Sequence, residues 1–130
     1  MTRAHVETIP FENVDVVLGR HRGIGLDVVG EKLITRRRGG YCYEQAGLFA
    51  AVADRLGYDV QRTVSRVQPD RGGPYPHMTL IITVENTPYL VDAEFGSGML
   101  VPMPFENGAV VDQGGWPHRL IWEDLHELLP

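Results

Sequence analysis

A chain of 130 residues has room for one domain, or for two small layers sharing a core, and 43% hydrophobic against 22% charged residues places it among folded rather than disordered sequences. A net charge of −5 sets it apart from dedicated nucleic-acid binders, whose field is basic, and the short cluster Arg36–Arg38 does not reverse this. A single cysteine excludes an internal disulfide framework and any multi-cysteine zinc site, and suits a reducing compartment. No run approaches the roughly 18 apolar residues of a membrane span, and "MTRAHVETIPFEN" has no apolar signal region. A cytoplasmic protein with neither membrane nor nucleic-acid partner is the expectation.

Residues 1–34 read as short and irregular. "IPFEN" breaks at Pro10, "LGRHRGIGLD" is a glycine-rich loop, and "DVVGEKLI" reads equally as a short helix or a short strand. The clearest helix spans about 42–56, where Cys42, Ala46, Phe49, Ala50, Ala53 and Leu56 form one apolar stripe and Gly57 follows as a C-terminal stop. Glu44, Gln45, Asp54 and Arg55 lie off that stripe. The period then changes to two. "DVQRTVSRV" reads as a strand, "QPDRGGPYP" as a loop, and "HMTLIITV", "EN" and "TPYLVDAEF" as a hairpin. Beyond Gly96 glycines and prolines multiply, until "LIWEDLHELL" closes the chain with a moderately helical pattern. The order predicts an α+β fold: a helical part over 1–60, an antiparallel β part over 61–130, and a single unit joining them.

Cys42 opens the predicted helix directly behind Arg36, Arg37, Arg38, Gly39 and Gly40. The first helical turn offers free N–H groups and the positive end of the macrodipole, which favour a thiolate, as do nearby arginines. Gly39 and Gly40 remove bulk beside the sulfur. Taken alone, a lone cysteine on an apolar stripe is more often a small core filler. A catalytic thiol needs a base, and the base needs an orienting partner. Of the five histidines, His5, His21 and His118 sit in segments without rigid context, and His126 sits in the terminal pattern. His77 opens the hairpin. If Glu85 and Asn86 form a two-residue turn, Asp92 faces Thr79 and Glu94 faces His77, so His77 and Asp92 become diagonal neighbours on one face. The other face, from Met78, Leu80, Ile82 and Val84 to Tyr89, Val91, Ala93 and Phe95, is apolar and is expected to be core. A one-residue slip would separate the histidine from the carboxylate.

"IPFEN", "RRRGGYCYEQAGLF", "HMTLII" and "YLVDAEFG" resemble, in order and spacing, the stretches around the Cys–His–Asp triad of the arylamine N-acetyltransferases. The resemblance runs from about His5 to about Pro104. It implies a core similar to that of papain-like cysteine proteases, a partial β-barrel, and ping-pong transfer of acetyl from acetyl-CoA, without a metal, to an arylamine or hydrazine. It further implies that Cys42 is the nucleophile, His77 the base and Asp92 its orienting carboxylate. Glu12 and Arg38 match a supporting pair, and Phe95 and Gly96 match part of the acetyl-CoA lining. Two positions depart from the family pattern: Glu94 stands where a glycine is usual, and Ala46 where an asparagine is usual. The family also carries a helical segment before "IPFEN" and a lid domain after the barrel. A chain shorter than that pattern is expected to expose core and to dimerise. Two further readings share the scaffold: a binding module with a weak or silent site, and a thioesterase- or amidase-like hydrolase using the same residues.

Overall fold

A computed structural model describes residues 1–68, 71–95 and 98–123. Four helices come first: α1 (Thr2–Thr8), α2 (Val14–Val17), α3 (Leu26–Gly30) and α4 (Cys42–Arg55). The ambiguous "DVVGEKLI" stretch is helical, with α3 running into a wide π-helical turn over Glu31–Thr35. Six strands follow: β1 (Asp59–Ser65), β2 (His77–Val84), β3 (Thr87–Val91), β4 (Met103–Pro104), β5 (Val110–Asp112) and β6 (Pro117–Arg119). The first four form an antiparallel sheet in the order β1-β2-β3-β4, and β5 pairs with β6 in a second sheet.

The turn between β2 and β3 fixes what lies opposite what. Glu85 and Asn86 both take left-handed conformations, φ 49° and 65°, as a two-residue turn matched to strand twist requires. Val84 therefore pairs with Thr87, Ile82 with Tyr89 and Leu80 with Val91. On the other edge of β2, Thr79 pairs with Thr63 and His77 with Ser65.

Helix α4 packs on this sheet. Ala46, Phe49, Ala50 and Ala53 form one buried cluster with Leu80, Ile82, Val91 and Ala93. The alanines keep the helix close to the strands, and Phe49 fills the remaining depth. Gly57, at φ 89°, ends the helix, and the Tyr58 N–H returns to the Ala53 carbonyl. Three positions expected in the core are not there: Leu56 is 63%, Phe95 45% and Val84 38% exposed. The reasons are geometric. Helix α4 stops at Arg55, short of the turn end of the hairpin, and Phe95 lies past Val91, the last residue that pairs with β2. Conversely, Glu44 and Gln45, off the apolar stripe, are fully buried.

The predicted terminal helix is not seen over residues 120–123, and the rest of that pattern, with His126, lies outside the described residues. Among the described residues no helix is long and apolar enough to cross a membrane.

Candidate active site

The loop before α4 is locked from three sides. Gly40 donates to the Pro10 carbonyl at 3.2 Å and accepts from the Glu12 N–H at 3.1 Å, forming a parallel bridge between Phe11 and Gly40. A Cβ on Gly39 would strike the Pro10 carbonyl oxygen, and one on Gly40 would sit 2.6 Å from Glu44 Oε2. The close approach of residues 10–12 and Glu44 thus by itself requires these glycines. Gln45 Nε2 donates to the Gly40 carbonyl at 2.7 Å and to that of Pro10 at 3.3 Å, while its Oε1 lies 2.9 Å from His5 Nε2.

Charge organises the other side. Arg38 reaches Glu12 at 2.9 Å and Asp15 at 3.0 Å, and Arg36 reaches Glu31 at 2.7 Å. Arg37 takes φ 52°, and Arg36 and Arg38 are spent on carboxylates rather than on the thiol. Beneath them Lys32, 9% exposed, donates to both Glu44 oxygens at 3.1 and 3.0 Å. Glu44 in turn accepts the Tyr41 N–H at 3.1 Å, closing the first turn of α4. The Cys42 and Tyr43 N–H groups have no backbone acceptor among the described residues.

Cys42 begins α4 and is 5% exposed. Its thiol donates to the Pro76 carbonyl at 3.3 Å, and the neighbouring Tyr43 hydroxyl donates to the Tyr75 carbonyl at 2.9 Å. Both bonds fasten the helix start to the two residues that precede His77. The buried His77 directs Nε2 to Asp92 Oδ2 at 2.8 Å, which leaves Nδ1 for the sulfur. Burial opposes charge on this imidazole, but hydrogen bonds to Asp92 and Cys42, with their negative charge, outweigh it and raise its pKa to about 10. Thr79, facing Asp92 in the predicted register, instead satisfies its hydroxyl on Thr63 at 2.7 Å.

Phe95 stands edge-on to His77 at 5.1 Å between ring centroids, so its departure from the core brings it to the site's rim. Gly96 lies outside the described residues. Glu94 is wholly buried behind the pair; its N–H reaches Asp92 Oδ1 at 3.4 Å. The other described histidines lie apart: His5 is bound to Gln45, His21 stands 3.5 Å from Glu44, and His118 bonds the Trp116 carbonyl. Among the described residues no three His, Cys, Asp or Glu side chains are grouped to hold a metal ion. A cavity of about 530 Å³ opens toward the C-terminal end of α4, lined by Phe49, Leu56, Ile82, Val84, Tyr89 and Leu100; neither Cys42, His77 nor Asp92 borders it.

Lys32, Asp15, Gln45 and His5 support this site without having been singled out from sequence. Glu44 carried the one usable signal, as an acid three residues past the helix boundary; Lys32 had none, because nothing local marks a lysine for burial.

A family model described as N-acetyltransferase matches residues 1–129. The arylamine N-acetyltransferase of Mycolicibacterium smegmatis is 39% identical over 126 residues, covering 90% of this chain and 46% of its own length. The structure of arylamine N-acetyltransferase from Salmonella typhimurium superposes with a TM-score of 0.88 at 31% identity, covering 95% of this chain and 46% of that one. The Mycobacterium marinum arylamine N-acetyltransferase in complex with CoA superposes with a TM-score of 0.85 at 37% identity, over 94% and 48%. The chain therefore spans just under half the length of the relatives it matches, and with nearly every residue covered by the family pattern, it belongs to the N-acetyltransferase family.

Proposed function

We propose that the chain acts as an acyltransferase, taking acetyl from acetyl-CoA onto Cys42 and passing it to a small arylamine or hydrazine. The reactive form pairs a Cys42 thiolate with a His77 imidazolium, the protonated state that the raised pKa of His77 favours; the sulfur attacks the acetyl carbonyl carbon, and the oxyanion forms near the free N–H groups of Cys42 and Tyr43. The bond from that carbon to the CoA sulfur breaks, and His77 returns its proton to the departing CoA thiolate. In the second half the amine attacks the thioester carbonyl, His77 accepts the amine proton, and the bond to Sγ breaks. Asp92 holds the ring and stabilises its imidazolium. Phe95, exposed beside His77, offers an apolar wall to the pantetheine end of CoA, with Gly96 next in the chain. Glu12 and Arg38 brace the loop that sets Cys42.

One observation carries this reading. A buried histidine, paired with a carboxylate at 2.8 Å, is tied by the Pro76 carbonyl to a thiol at a helix start. A mass shift of one acetyl group on Cys42 is expected on mixing with acetyl-CoA, absent in Cys42→Ala and discharged by an aromatic amine. Release of CoA well beyond one equivalent per chain without amine would move the assignment to hydrolysis; no acetylated Cys42 would overturn transfer.

The second element of the proposal is self-association. The 530 Å³ cavity and the exposed Leu56 and Val84 beside it form an apolar face that a second copy covers. Sedimentation at micromolar concentration is expected to give a dimer, and a monomer throughout that range would exclude it.

A further inference from the structure

Glu94 is the most deeply buried carboxyl of the site, with a relative exposure of 0%, and neither of its oxygens is paired with a hydrogen-bond donor among the described residues. A buried, unpartnered carboxylate would be costly, so the group is expected to keep its proton. Burial and the adjacent Asp92 charge both act that way and lift its pKa to about 9. A protonated carboxyl carries an O–H that needs an acceptor, and the titratable groups bearing on it are Asp92, from its own segment, and His77, from β2. Cys42 of α4 bears on His77.

We propose that Glu94 is a positioning residue whose O–H turns onto the Asp92 carboxylate and holds it against His77, extending the row Cys42–His77–Asp92 by a fourth member. The proposal rests on the reading of those three residues as the reactive centre. Asp92 then has a donor on each side: the imidazole on Oδ2, and on Oδ1 the Glu94 N–H with the Glu94 carboxyl. No proton moves in the resting state. In alkaline solution Glu94 gives its proton to solvent hydroxide, and a second negative charge appears behind the pair. Because His77 favours the ionised form of Glu94, an ionised Glu94 must by linkage favour the imidazolium by the same amount. The site thus tightens its hold on the His77 proton as pH rises.

The test needs no turnover. In chain carrying carbonyl-13C glutamate, infrared spectra at pH 7 should contain a protonated-carboxyl band that vanishes with a midpoint near 9 and is absent from Glu94→Gln. By NMR, the His77 ring in Glu94→Gln should titrate about one pH unit lower than in the parent chain. An all-carboxylate spectrum at pH 7, or an unshifted His77 midpoint, overturns the proposal. The loss of the band with rising pH is read in the parent chain alone and survives misfolding of the variant. Acetylation of Cys42 tests the centre separately: its absence, with band and shift intact, would defeat the transferase reading and leave the Glu94–Asp92 coupling supported.

Discussion

The carboxylate of Asp92 divides its oxygens between His77 and the N–H of Glu94. Asp92→Asn would keep the shape and lose the charge. The His77 pKa should fall well below 10, and single-turnover acetylation of Cys42 should slow by about 10³-fold or more, measured by rapid quench. Two neighbouring residues also give stability a common pH trend. His77 binds its proton more tightly folded than unfolded, so its contribution is full below its ordinary value of 6.5 and disappears as pH climbs through about 10. Glu94, raised from 4.5 to about 9, likewise holds a proton in the fold that the unfolded chain has released, so it costs more stability with each step upward across that interval. The melting temperature should therefore fall from pH 7 to pH 10, and Glu94→Gln should flatten the decline by about 5 °C or more at the upper end. A parent chain whose melting point holds level across that range would contradict both assignments.

At the scale of elements, α4 starts where it does because a buried ion pair closes its first turn. Lys32 comes from the π-helical turn, Glu44 from α4, and the Tyr41 N–H completes the junction. Lys32→Met would strand the Glu44 carboxylate and should cost about 3–5 kcal/mol in denaturant unfolding, with Lys32→Met/Glu44→Gln recovering much of it. Equal losses in the single and double variants would show that packing of the lysine stem, not charge, matters there. Such long-range partners explain what sequence could and could not reveal. The β2–β3 hairpin was legible because Glu85-Asn86 admits a left-handed turn and the strands alternate on either side, so the register brought His77 beside Asp92 before any coordinates. Helix α4 was legible from its three- and four-residue steps. The destinations of Arg36 and Arg38 were not, because Glu31, Glu12 and Asp15 reach them only once the chain has folded back. Nor did the periodicity of Val84 and Phe95 disclose that α4 ends too early to cover one and that the other has left the ladder.

For the molecule as a whole, the order of elements keeps the candidate site and the apolar cavity apart. Cys42 and His77 sit where the first turn of α4 meets the start of β2, while the apolar cavity lies toward the other end of the helix, beside Leu56 and Val84. Filling that cavity should therefore change assembly more than reactivity. Val84→Arg, at its rim, is expected to shift sedimentation toward monomer while the rate of Cys42 acetylation stays within about twofold, as surface substitutions far from a site usually allow. A parallel collapse of both would join the two faces in one function. The single cysteine carries one more consequence. With one thiol in 130 residues and only 5% of its residue surface open, any sulfhydryl-directed compound reports on one position alone. A graded series of maleimides, from methyl to bulky aromatic, becomes a caliper: the substituent size at which labelling stops measures the width of the doorway to Cys42.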